Sequence, residues 1–260
     1  MLVLVVASSL ILIWGAGPAM PPGGWTGLTV MDARSSILVA ALALGFAALP
    51  AVVAGVGMAA WSGVATGAFT LAASLTILAW YAGPIDGLLF RSETLRHVYL
   101  DLAIEMIGWA FLWSIMLLVA GILHAGLRDK QARGHTSVPA TFAALGITAI
   151  LGAVVANLLA KSTDPGQVVG ALVIGFAVGG WVARASVPST RAWGLLISPL
   201  VVGLGVYLMA SFNFTSDEML QSSWFSGRMT GLALMLPIYF ASAGVAGAAM
   251  GYGLGRPKHD

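Results

Sequence analysis

Along this chain apolar residues run on for lengths that soluble strands and amphipathic helices do not reach. Between Arg34 and Asp86 lie 51 consecutive residues without a formal charge. As one helix at about 1.5 Å per residue they would extend on the order of 75 Å. A bilayer's hydrocarbon is roughly 30 Å thick, so the stretch is expected to fold back on itself. The turn is expected between Gly55-Val56-Gly57 and Trp61-Ser62-Gly63, where glycine eases departure from the helix and Trp61 suits an interface. The other apolar runs are each long enough for a single crossing. The pattern predicts spans at about 2–15, 36–55, 61–82, 98–127, 140–160, 167–183, 192–212 and 229–254. The first is short and is expected to be a retained helix, because it lacks the basic flank of a secretory signal.

Lipid dictates the secondary structure. Backbone N–H and C=O groups must be paired within hydrocarbon, which leaves helices or closed barrels. Barrel strands alternate in hydrophobicity over about ten residues, and these runs are longer and do not alternate. The expected fold is all-α: a polytopic transmembrane helical bundle of about eight spans, or seven if the first does not cross, in a single integral membrane domain over 1–260.

Composition agrees. Hydrophobic residues make up 59% and charged residues 8%, against roughly 25% charged in soluble domains. The absence of cysteine excludes thiolate catalysis, Fe–S clusters and Cys-ligated zinc. With a net charge of +2 and bases dispersed among loops, no nucleic-acid surface is expected. Threading eight spans places Arg128, Lys130, Arg133, Arg184, Arg191, Arg256 and Lys258 on the side of both termini, and Arg34, Arg91, Arg96, Lys161 and Arg228 on the other. The positive-inside rule then puts both termini in the cytoplasm. The Ala/Gly-rich, Cys-free composition suggests a bacterial cytoplasmic (inner) membrane.

Two external segments exceed simple turns: the Gly/Pro-rich 17–35, and 213–228, whose Trp224 and Phe225 suit an interface. Small residues spaced by four, which let helices approach closely in lipid, include Gly63/Gly67, Gly166/Gly170, Gly175/Gly179, Gly227/Gly231 and Gly247/Gly251/Gly255. Tight packing within the chain is the plainer expectation. A homo-oligomer or partner interface along the last helix is the sharper one. Pro50, Pro199 and Pro237 fall inside expected spans, where each would remove a backbone hydrogen bond and kink its helix. With Tyr239 they are the candidates for a kink or a cavity.

The most suggestive chemistry is Glu93, His97, Asp101 and Glu105, spaced by four so that one helix carries them as a drifting stripe. Carboxylates and an imidazole on one face can bind a cation or relay protons. The alternative is a water-exposed extension of a long helix, since Met106–Leu127 already supplies enough residues to cross. Glu105 would then sit at the outer interface, and Arg91 and Arg96 would pair with the acids. His97 and His124 lie about 40 Å apart along one helix, so they cannot share a haem iron. Gly251-Tyr252-Gly253 has the core of a potassium filter but is not followed by a helix, and no His-Glu-x-x-His stands anywhere in the chain.

The expected function is therefore a non-enzymatic scaffold or accessory subunit of a membrane assembly, partnered by the lipid bilayer and by a membrane protein or a second copy, without a cofactor. The alternative is a permease or channel for a small neutral or weakly polar solute, which requires a polar cavity flanked by Pro50, Pro199 or Pro237. A metal-dependent intramembrane enzyme using the Glu93–Glu105 stripe is the distant third.

Overall fold

The computed structural model describes residues 52–59, 62–91, 95–127, 137–214 and 216–255. Pro50, Glu93, the expected span 2–15, nearly all of 36–55, and the basic loop at 128–133 lie outside the described residues. Among those described, every regular element is helical.

Residues 52–59 are helical and turn back into α1 (Val64–Ala82). A short α2 (Asp86–Arg91) follows. Next come four long helices, α3 (Leu95–Leu127), α4 (Val138–Leu159), α5 (Pro165–Ser186) and α6 (Ala192–Asn213). A surface helix α7 (Asp217–Phe225) leads into a 3₁₀ turn, Gly231–Leu234. The last helix, α8, joins an α-helical turn Pro237–Tyr239, a π-helical turn Phe240–Gly244 and an α-helix Val245–Leu254. Four segments are long and apolar enough to cross a membrane: His97–Gly126, Val138–Leu159, Pro165–Ser186 and Ala192–Asn213. They coincide with four of the expected spans and suggest a membrane location.

The reversal expected around 55–63 is tighter than the sequence implied. Gly55 and Gly57 stay helical, and the chain enters α1 through Gly63, whose φ of 109° is open to glycine.

The expected span 229–254 is not one helix. Met235 and Leu236 are extended, and Pro237 opens α8 at its first helical position. A proline there sacrifices no helical hydrogen bond, because the first N–H groups of a helix have no intrahelical acceptor. Pro237 therefore starts a helix where a mid-span kink was expected. The irregularity inside α8 is instead the π turn at Phe240–Gly244.

Pro199 does lie inside its helix, α6. Its missing N–H frees the carbonyl of Leu195, four residues back. The hydroxyl of Ser198 donates to that oxygen at 2.7 Å, so the sequence Ser198-Pro199 carries its own repair.

α8 forms the centre of the bundle. Every residue from Met235 to Ala249 is buried, with α1, α5 and α6 packed around the helix. A helix apolar on all sides belongs in an interior. By contrast α3 buries only one stripe, including Leu102, Met106, Trp113, Leu117 and Ala120, and exposes Ile107, Phe111, Ile115 and Leu118 on the other.

Close approach of backbones depends on the glycines. A Cβ on Gly175 would stand 2.7 Å from the carbonyl oxygen of Gly152 and 2.8 Å from the nitrogen of Ala156, across the α4–α5 contact. One on Gly179 would meet Thr148 O at 2.8 Å, and one on Gly251 would meet Trp181 N at 2.7 Å, across the α5–α8 contact. Gly67 is closed by 55–59, Gly247 by Val173, and Gly255 by Arg184. These neighbours are mostly backbone and cannot rotate away. Gly170 has nothing within 4 Å of its Cβ position.

Gly251→Ala and Gly175→Ala should each lower stability in detergent by about 1–3 kcal/mol, the usual cost of overpacking. Gly170→Ala should leave the melting temperature unchanged or raise it. Thermal unfolding of the three variants followed by tryptophan fluorescence checks this, and equal loss in all three would contradict the packing described.

Candidate functional site

Among the described residues, several buried polar groups surround the break before α8. In a water-poor interior an unpaired peptide group costs several kcal/mol, and a break of this kind frees several at once. Three of its carbonyls are met from neighbouring helices and one from within α8. From α3, the Tyr99 hydroxyl donates to Ala233 O at 3.2 Å and Trp113 Nε1 to Ala241 O at 2.9 Å. From α6, the Tyr207 hydroxyl donates to Met235 O. Within α8, Ser242 Oγ donates to Ile238 O at 2.6 Å beside the π turn. The rings also pack: Tyr99 and Tyr207 have centroids 6.4 Å apart, and Tyr207 meets Phe240 edge-on at 6.1 Å.

Glu105 lies beside this cluster. Its residue is 7% exposed, and its Oε1 accepts from Trp109 Nε1 at 3.3 Å, one helical turn on. It is close enough to Tyr207 to interact with it electrostatically. His97 and Asp101 are exposed on the same helix. The stripe therefore divides: Glu105 is enclosed by neighbouring helices while His97 and Asp101 stay exposed. The reason is geometric: four residues advance the helix by about 400°, so each member lies roughly 40° further round, and two steps carry Glu105 onto the packed face. Among the described residues no three His, Asp or Glu side chains come together as a metal-holding group.

A second cluster ties the same end of the bundle. Thr163 Oγ1, in the α4–α5 loop, donates to Asp86 Oδ2 at 2.8 Å. The Tyr239 hydroxyl donates to Gly83 O at 2.8 Å, and the Cβ position of Gly166 lies 3.1 Å from the Trp80 ring. Tyr239 is thus a buried clasp between α8 and the α1–α2 turn. Pro199 packs against Gly244, whose Cβ position is 2.7 Å from Pro199 Cβ. At the opposite end Arg184 Nη1 donates to Pro188 O and Thr190 O, and its guanidinium lies 4.9 Å from the centroid of Tyr252.

Chemically, the tyrosine and tryptophan protons around the break are committed to main-chain oxygens, which suits holding a backbone rather than transferring a proton. Tyr99, Tyr207 and Trp113 carry this arrangement, Ser198 does the same for Leu195 O within α6, and sequence reasoning passed over all four. The available signals were a hydroxyl directly before an in-span proline, and tyrosines placed inside otherwise apolar helices. No protein-family model, curated protein or solved structure matches this chain.

Tyr207→Phe leaves a buried carbonyl without a donor at almost unchanged volume and should destabilise the protein by about 1–3 kcal/mol. Tyr252→Phe, on the half-buried ring beside Arg184, should cost well under half as much. Denaturation in mixed micelles compares the two, and an equal effect would show that the hydroxyl of Tyr207 contributes no special support.

Proposed function

We propose that this chain is a multi-pass protein of about eight spans, in a bacterial cytoplasmic membrane with both termini inside, acting as a non-enzymatic scaffold or accessory subunit of a membrane assembly. One observation carries the reading. The centre of the bundle is filled by α8, its freed carbonyls are satisfied by the chain's own side chains, and Pro199 and Pro237 are packed against neighbours. A permease reading calls for polar groups held open for a solute beside those prolines. Here the polar groups are spent on the fold itself, while the outer face of α3 presents Ile107, Phe111, Ile115 and Leu118 outward. That face suits lipid or the helix of another membrane protein.

Threading is tested by labelling, which the Cys-free sequence makes clean. Ser162→Cys and Ser226→Cys should react with a membrane-impermeant maleimide on intact cells, and Ser186→Cys only after lysis. The reverse pattern would invert the orientation, and all three reacting together would contradict the spans.

The scaffold role is tested by isolating the chain from native membranes in mild detergent. A second membrane protein should accompany it at fixed stoichiometry and be lost when Phe111 and Ile115 are both changed to Ala. A chain that runs alone and conducts a small solute when reconstituted in liposomes would instead establish the permease reading.

A further inference from the structure

A groove of about 400 Å³ runs between α4, α6 and the chain entering the 3₁₀ turn. This volume falls in the usual range of small-molecule sites. Its walls are apolar: Val154 and Met209 are exposed on the outer surfaces of α4 and α6, and Phe214 closes one end. Its polar lining residues are Arg228 and Asn213, both exposed where α6 ends and the chain leaves α7, with Thr230 and the part-buried Asn157. No acidic residue lines it. The groove opens at the end of the bundle that carries α7, where Phe212 and Phe225 are 77% exposed. The groove thus has a fixed cation at the water level and hydrocarbon-facing walls below it.

Asn157 adds a second and independent feature. Its Oδ1 is shielded from solvent and accepts no hydrogen bond. A buried acceptor left in that state costs about 1–3 kcal/mol, and α4 carries it on the wall of this groove. A ligand hydroxyl that reaches this acceptor, with a rotation of the Asn157 amide into the groove, relieves the cost. A ligand that also places negative charge at the mouth is drawn to Arg228, and acyl chains lying along Val154 and Met209 cover the walls. Phosphate, hydroxyl donor and acyl chain occur together in an anionic glycerophospholipid with a hydroxylated headgroup.

We propose that this groove is a specific site for one such lipid, its phosphate paired with Arg228 and a headgroup hydroxyl donating to Asn157 Oδ1. The occupant follows from charge complementarity and from the orphaned acceptor, and it does not depend on the scaffold reading above.

The test is native mass spectrometry of the delipidated full-length chain, exposed to equal amounts of phosphatidylglycerol and phosphatidylcholine. The wild type should retain one phosphatidylglycerol in preference to phosphatidylcholine. Arg228→Gln should reduce that preference about fivefold, the worth of one basic side chain at an anionic lipid surface. Phosphatidic acid, which has the charge but no glycerol headgroup, should bind the wild type more weakly than phosphatidylglycerol, and the gap should close in Asn157→Leu. Thermal unfolding of both variants confirms that they fold. Glycerol phosphate, a soluble headgroup without acyl chains, should fail to displace the lipid. Equal retention of the two lipids by the wild type, an unaltered preference in Arg228→Gln, or displacement by glycerol phosphate would each overturn the proposal.

Discussion

A peptide group deprived of water must find a partner inside the protein, and among the described residues this constraint bears hard on a segment that is mostly buried and not continuously helical. Between Gly231 and Gly244 the backbone passes from a 3₁₀ turn through two extended residues to a proline-initiated helix with a π turn. Each irregularity frees carbonyls that a straight helix would have paired. The side chains of Tyr99, Trp113, Tyr207 and Ser242 replace those bonds. Irregular backbone at membrane depth is tolerated where protein surrounds it, and here the surrounding helices provide the donors.

The same constraint governs the smaller polar residues. Thr70, Ser74, Thr76, Thr141 and Thr148 each donate to a carbonyl four residues back in their own helix. A hydroxyl bonded this way has its proton committed within its own chain segment, although Thr141 Oγ1 also accepts from Arg191 N at 3.2 Å. It can therefore stand at a close contact beside glycine, as Thr148 does against Gly179. Association of α4, α5 and α8 rests on short backbone separation and dispersion rather than on burial from water, because lipid is as apolar as the side chains themselves.

The all-helical class and four long apolar helices were legible from the length of the uncharged runs, since bilayer thickness and helical rise leave little freedom. Local chemistry was harder to read. Proline at 237 has one meaning inside a helix and another at its start, and only the extended residues before it decide between them. The spacing of Glu93, His97, Asp101 and Glu105 suggests a single face, but its drift is enough to bury Glu105 while His97 and Asp101 remain exposed. Gly166/Gly170 and Gly175/Gly179 look alike in sequence. Yet a Cβ at 170 meets open space while those at 175 and 179 would strike backbone. Which small residues lie at a crossing depends on helix rotation, and helices apolar all round give rotation no signature.

The bundle requires the segment before α8 to be a fixed part of the core, held by donors from α3 and α6, and not a surface loop that moves in and out. Hydrogen–deuterium exchange of the wild-type chain in lipid nanodiscs measures this directly. Amides of the 3₁₀ turn and the extended residues, among them Ala233 and Met235, which donate to Thr230 O and Leu232 O, should exchange as slowly as those of the helix Val245–Leu254. Exchange there as fast as in the exposed turn around Gly227 would show the segment opening to water, and the structural account given for it would fail.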